Sequence, residues 1–179
     1  DMSPTERIHE LAREKNCKPD KINICVLERP RNLSLIEEVR KTGAKINLIS
    51  DGDIAGIISC LRNDETGIDS YMGSGGAQEG ILSAVATKCV GGQMQGRILT
   101  ESSSERQLLI EEYNLDPKRI IDINEMVRGP VIFAASGVTD SALMKGVRST
   151  SRFTQVETLL LRSKTMSFRK LVYRKKNII

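Results

Sequence analysis

Apolar and polar positions along the chain alternate between two periods. DMSPTERIHELAREKN places Ile8, Leu11 and Ala12 on one face at helical spacing. Ser3 is placed to cap that helix, Pro4 suits its first position, and Glu6 completes a capping box. INICVLE is a short apolar run with polar edges, the pattern of a buried strand, and it ends at Glu28-Arg29-Pro30-Arg31. LSLIEEVRKTG returns to helical spacing and stops at Gly43. KINLIS predicts a second strand ending at Asp51-Gly52-Asp53, and IAGIISCLRN a helix. IDSYMG predicts a third strand, which runs into a glycine-rich turn. AQEGILSAVATKCVGG predicts the next helix, closed by Gly91-Gly92.

Strand followed by helix, three times over, predicts an α/β layered lobe with a largely parallel sheet. In such sheets ligands bind outside the carboxyl ends of the strands. Three polar clusters stand at three such ends: Arg29/Arg31, Asp51/Asp53, and Gly73 to Glu79. The second half is less regular. SSSERQLLIEEYN predicts a helix capped at Ser104 or a neighbour, and DPKRIIDINEMVRG is mixed. VIFAASG predicts a buried strand ending at Gly137, before Thr139-Asp140. QVETLLLRS and FRKLVYRKK predict a hairpin joined through KTMS. There is no internal repeat, low-complexity segment or long linker.

The clusters differ in what they can bind. Guanidinium forks match phosphate oxygens bidentately, although Arg29-Pro30-Arg31 is also what two surface arginines in a turn look like. Asp51-Gly52-Asp53 can bind a divalent cation or accept hydrogen bonds from sugar hydroxyls. Capping the next helix explains one of the two acids but not both. Gly73-Ser74-Gly75-Gly76 allows close approach of a ligand to the backbone, and a helix N-terminus favours anions. Glu79 stands just beyond it. A carboxylate beside a phosphate repels it unless a metal ion lies between them; the bland alternative is that Glu79 complements the helix dipole. The glycines are not a dinucleotide fingerprint: the third is displaced and no ribose-binding acid follows at the expected spacing. Lys88 lies inside a helix, so the turn is not a P-loop.

Composition narrows the classes. The chain has 179 residues, enough for one domain or lobe with a sizeable core. Its net charge of +4 fits anionic ligands only weakly, because much of the excess lies in the terminal RKLVYRKKNII. Aromatic residues are 3% and Trp is absent, which argues against a base-stacking platform, and no nucleic-acid partner is expected. Cys17, Cys25, Cys60 and Cys89 form no C-x-x-C pair and are read as reduced thiols of a cytoplasmic protein. No apolar run approaches membrane-spanning length. His9, the only histidine, lies on the first helix and is read as a surface residue, so a Ser-His-Asp or Cys-His catalyst is not expected. A phosphatase built on metal-bound water needs carboxylates rather than histidine.

At these residues the sequence resembles the class II fructose-1,6-bisphosphatases, the GlpX family, which includes dual fructose-1,6-/sedoheptulose-1,7-bisphosphatases. VLERPRN, LISDGDIAGII, GSGGAQEGILSAVATKCVGGQMQGRI and ASGVTDSALMKGVR carry the resemblance, in family order and spacing. The resemblance implies an α/β fold, a layered αβ sandwich of the sugar-phosphatase, inositol monophosphatase-like type. It also implies hydrolysis of the 1-phosphate of a sugar bisphosphate with Mn²⁺ or Mg²⁺. By motif, Arg29, Pro30 and Arg31 would hold the remote phosphate and Asp51, Gly52 and Asp53 would meet sugar hydroxyls. Gly76 would contact the substrate near the metal, and Glu79 would be a metal ligand.

Two departures stand out. Gln78 occupies a position where the family has proline, and family members are nearly twice as long. Residues 1–179 are therefore expected to be a single C-terminal lobe without the acid-rich N-terminal metal-binding lobe, and no catalytic residue is assigned within it. The expected partners are a sugar bisphosphate, the missing half, and other copies in a homo-oligomer, with no membrane. The expected compartment is the cytoplasm, or an organellar stroma in a photosynthetic eukaryote. The competing readings are an inactive sugar-phosphate-binding module or split-enzyme subunit, and a dinucleotide-dependent oxidoreductase; the missing ribose-binding acid disfavours the latter.

Overall fold

A computed structural model describes residues 2–100 and 102–177. Helix α1 (Pro4–Glu14) begins at Ser3, whose hydroxyl accepts from the Glu6 amide while the Glu6 carboxylate reaches back to Ser3, so the expected capping box is formed. Strand β1 (Asn23–Leu27) leads through a short 3₁₀ turn (Pro30–Asn32) into α2 (Leu33–Lys41). Strand β2 (Lys45–Ile49) is followed by α3 (Asp53–Cys60) and the one-turn α4 (Asn63–Thr66). Strand β3 (Ser70–Tyr71) feeds α5 (Ala77–Cys89).

β1 is the centre of a three-stranded sheet of order β2-β1-β3, parallel on both sides. Cys25 aligns with Asn47 on one side and Tyr71 on the other. Strand alternation sends Ile24 and Val26 to one face, where they pack with Ile8 and Ala12 of α1 and Ile36 and Val39 of α2. The other face receives α3. That helix has apolar residues nearly all round, as expected for one covered on two sides.

The second half builds a separate sheet. After the short β4 (Gln95–Gly96), α6 (Ser103–Tyr113), β5 (Ile121–Asp122) and α7 (Ile123–Met126) come β6 (Ile132–Ser136), β7 (Arg148–Ser149), β8 (Phe153–Arg162) and β9 (Ser167–Lys176). α6 is capped by Ser102 rather than Ser104. β8 and β9 form the expected hairpin, turning at Met166 with positive φ. β6 and β7 lie on the other edge of β8, and every pairing in this sheet is antiparallel. The run VIFAASG thus seeds an antiparallel sheet instead of extending the parallel one, so the largely parallel expectation holds only for the first half.

Ile58 of α3, Ala86 and Cys89 of α5, Phe133 of β6 and Leu161 of β8 share one core. The layers therefore run α1/α2, parallel sheet, α3/α5, antiparallel sheet. The four cysteines are free, with Cys25 and Cys89 buried. His9 is exposed, as read from the sequence. Among the described residues no helix is long and apolar enough to cross a membrane.

Asp69 secures the end of the parallel sheet opposite the strands' carboxyl ends. Its carboxylate accepts from the Asn23 amide at 2.7 Å and Asn63 Nδ2 at 3.1 Å, and it pairs with Lys15 of α1. Burial alone would push its pKa up, but the Lys15 and Asn23 hydrogen bonds outweigh burial and hold it below the usual carboxylate range. A carboxylate with a depressed folded pKa contributes stability that is complete above its unfolded value, about 3.9, and is lost as pH falls through the folded value. Asp69→Ala is therefore expected to cost about 1.5–3 kcal/mol at neutral pH. In urea titrations the gap between wild type and variant should hold down to about pH 5 and then close as pH falls below about 4; a gap that does not change with pH would contradict this.

Candidate functional site

Because β1, β2 and β3 run parallel, their carboxyl ends open on one edge of the lobe, and the three polar clusters follow from them directly. Pro30 fixes φ at the start of the 3₁₀ turn and sets Arg29 and Arg31 on either side of the crossover into α2. Arg29 approaches the end of β2, with a guanidinium nitrogen 4.0 Å from Asp51 Oδ1. Arg31 turns the other way. Its Nε donates to the Ser74 carbonyl at 2.7 Å, which leaves its terminal nitrogens for another acceptor.

The aspartates have separate surroundings. Neither caps α3, contrary to the expectation that capping explains one of them. The N-cap is Gly52, in the left-handed region at φ 82°, and no side chain caps the helix. Asp51 Oδ1 accepts from the Gly52 amide at 2.8 Å, and its side chain is otherwise in solvent. Asp53, the first residue of α3, reaches across the crevice: its Oδ1 accepts a 2.6 Å hydrogen bond from the Tyr71 hydroxyl. Its other oxygen lies against Gly75, where an added Cβ would come within 2.9 Å of it. Arg31 borders the same spot, 3.9 Å from that Cβ position. A side chain at position 75 would therefore have to displace the Asp53 carboxylate.

Gly76 plays a similar part for Glu79. Glu79 stands in the first turn of α5 and its carboxylate folds back over Gly76, where a Cβ would collide with it. The acid lies at the positive end of the helix and is exposed, a position that suits either the helix dipole or a cation. Among the described residues no three His, Cys, Asp or Glu side chains converge as metal ligands. Divalent cations of the Mg²⁺ type take an octahedral oxygen shell. One exposed carboxylate does not make such a site, so this chain alone does not fit a metal centre.

Two residues of the site escaped the sequence reading. Tyr71 ends the third strand and holds Asp53. Burial, followed by the Asp53 carboxylate, pushes its phenol pKa well above the usual value. Its ring also lies against Gly56, where a Cβ would come within 3.1 Å of it and within 2.8 Å of Ile49. Asn32, directly after the arginine pair, is buried and bonded to Ser74. The available signal for Tyr71 was a lone tyrosine entering a glycine turn opposite an acid at a neighbouring strand end. For Asn32 it was an amide completing a turn beside two arginines.

Fold and site together define an α/β lobe whose parallel-sheet edge carries two arginines, two aspartates and a glycine turn. Residues 1–175 match the family model of the bacterial glpX-encoded fructose-1,6-bisphosphatases. A protein of Synechococcus elongatus named D-fructose 1,6-bisphosphatase class 2/sedoheptulose 1,7-bisphosphatase is 36% identical, over 93% of this chain and 52% of its own length. A protein of the same name from another Synechococcus strain is 33% identical, over 94% of this chain and 52% of its own length. The chain belongs to the glpX-encoded fructose-1,6-bisphosphatase family. It spans about half the length of the curated relatives it matches.

The Tyr71–Asp53 bond predicts energetic coupling across the crevice. In a double-mutant cycle of Tyr71→Phe and Asp53→Asn, followed by urea denaturation, the two losses should fall short of additive by about 1–2 kcal/mol. Strictly additive losses would mean that the bond does not hold Asp53 in place.

Proposed function

We propose that this chain is the substrate-binding lobe of a divalent-metal-dependent phosphatase that removes the 1-phosphate of fructose 1,6-bisphosphate, and of sedoheptulose 1,7-bisphosphate. The observation that carries this reading is the meeting of all three strand ends around Gly75, with Arg31 bonded to Ser74 and Asp53 set against the same turn. Family membership supplies the reaction class, and the names of the relatives supply the two sugars. We take the sandwich architecture of the inositol monophosphatase-like enzymes as the parent fold.

In this reading Arg29 and Arg31, flanking Pro30, hold the phosphate remote from the reaction. Arg31 presents two terminal nitrogens for it, since its Nε is already used on the Ser74 carbonyl. Asp51 and the free oxygen of Asp53 accept hydrogen bonds from sugar hydroxyls, and Gly52 leaves room between them. Gly76 admits the sugar to the backbone near Glu79. Glu79 is the one carboxylate of this chain that would face a Mn²⁺ or Mg²⁺ ion, and it would not hold one by itself. Such an ion would supply an activated water and screen the charge of the phosphate under attack. This chain's own part is to bind and orient the sugar phosphate.

Binding and turnover should therefore separate. The purified chain with Mn²⁺ or Mg²⁺ is expected to release phosphate from fructose 1,6-bisphosphate far below a normal enzyme rate, on the order of 1 s⁻¹ or more. It should still bind fructose 6-phosphate in titration calorimetry. Arg31→Ala should weaken that binding by about 10-fold or more, the loss of one charged hydrogen-bonding partner at roughly 1.5–3 kcal/mol. Equal affinity for wild type and variant would return both arginines to the solvent-facing turn they resemble in isolation. Turnover at a normal rate would place the whole catalytic apparatus within these 179 residues.

A further inference from the structure

We propose that Asn32 is a positioning residue that locks the glycine turn to the arginine turn, so that one sugar phosphate can span both. This rests on the functional reading above. Asn32 is 1% exposed, although it sits in a turn between two exposed residues. Its Nδ2 donates to the carbonyl of Leu27, the last residue of β1, at 2.9 Å. Its Oδ1 accepts from both the amide and the hydroxyl of Ser74, each at 3.1 Å. The orientation of the side-chain amide follows from chemistry. A backbone carbonyl can only accept and a backbone amide can only donate, so a flipped amide would leave both bonds mismatched.

The work needs a side chain with both a donor and an acceptor. Aspartate has no donor for Leu27, leucine has neither a donor nor an acceptor, and serine is too short to span the two partners. The burial is also costly without the bonds, because a polar group removed from water needs partners. A solvent-facing turn beside two arginines would not require an amide at this position at all.

Ser74 is gripped on three atoms by two consecutive residues. Arg31 takes its carbonyl, while Asn32 takes its amide and hydroxyl. Arg31 Nε and the phosphate-facing nitrogens belong to one rigid plane, so the placement of Ser74 sets the angle at which that plane faces the crevice. Asn32 fixes Ser74 against the end of β1. It touches no ligand itself and acts through Ser74, whose place sets Arg31. Inorganic phosphate needs only one of the two turns. A sugar phosphate needs both at a fixed separation, and its affinity therefore depends on Asn32 far more strongly.

The test is titration calorimetry of the full chain with fructose 6-phosphate and with inorganic phosphate, on Asn32→Ala, Ser74→Ala, Arg31→Ala and the Arg31/Asn32 double variant. Asn32→Ala should weaken fructose 6-phosphate about 10-fold, and Ser74→Ala, which loses only the hydroxyl bond, about threefold. Inorganic phosphate should change less than about twofold in both. Adding Asn32→Ala to Arg31→Ala should cost no further affinity beyond about twofold, because the effect runs through Arg31. Hydrogen exchange at the Ser74 amide should accelerate in Asn32→Ala. Ser74→Ala lies in a half-exposed turn and keeps the test open if Asn32→Ala does not fold. Additive losses in the double variant, or unchanged sugar-phosphate affinity with a freely exchanging Ser74 amide, would overturn the role of Asn32 while leaving the functional reading in place. A wild-type chain that binds no sugar phosphate would overturn that reading, and this one with it.

Discussion

Everything at the crevice depends on β1 being hydrogen-bonded in parallel on both edges. The strand is five residues long, and Ile24, Cys25, Val26 and Leu27 are all buried. A central parallel strand requires cover on both faces, supplied here by α1 and α2 on one side and α3 on the other. It also requires that both neighbours run the same way, so that three strand-to-helix turns open on one edge. Those turns carry the arginines, the aspartates and the glycines. Reversing a single strand would remove one cluster to the opposite end of the sheet. The chemistry of the edge is thus a consequence of strand direction, and the side chains refine a position that the backbone has already assigned.

The turns are not independent once they meet. Asp53 crosses from α3 to Tyr71 of β3, and Arg31 crosses from β1 to Ser74. Gly75 lies against Asp53 where these crossings meet, and Gly76 lies under the carboxylate of Glu79. Gly52 supplies a left-handed start to α3 that a side chain would strain. Backbone conformation thus requires glycine at Gly52, while at Gly75 and Gly76 a Cβ would only move a carboxylate end. The single carboxylate of Glu79 is what leaves the lobe short of a metal centre. The relatives are about twice the length of this chain.

Much of this was legible in the sequence. The period of the apolar residues marked α1, β1, α2, β2, α3 and α5, because each buries one stripe or run against a neighbour. The three strand ends could be read as one crevice from topology alone. Less was legible where structure depends on partners far apart in the chain. VIFAASG has the composition of a buried strand, and nothing in it distinguishes a parallel neighbour from the β8 partner it pairs with. The capping role assigned to one aspartate failed because the helix begins at Asp53 with Gly52 as its N-cap, and Asp53 bonds instead to Tyr71, 18 residues away. Asn32 and Ser74 are 42 residues apart, and no local pattern marks such a bond.

The central claim is that the three strand ends act as one sugar-phosphate site. Backbone amide shifts of the labelled chain, followed by NMR during titration with fructose 6-phosphate, test it most directly. The account predicts that the largest shifts fall together on residues 29–32, 51–53 and 73–79, saturating with one common dissociation constant. Shifts confined to one of the three turns, or centred on the hairpin around Arg152 and Arg174, would contradict it.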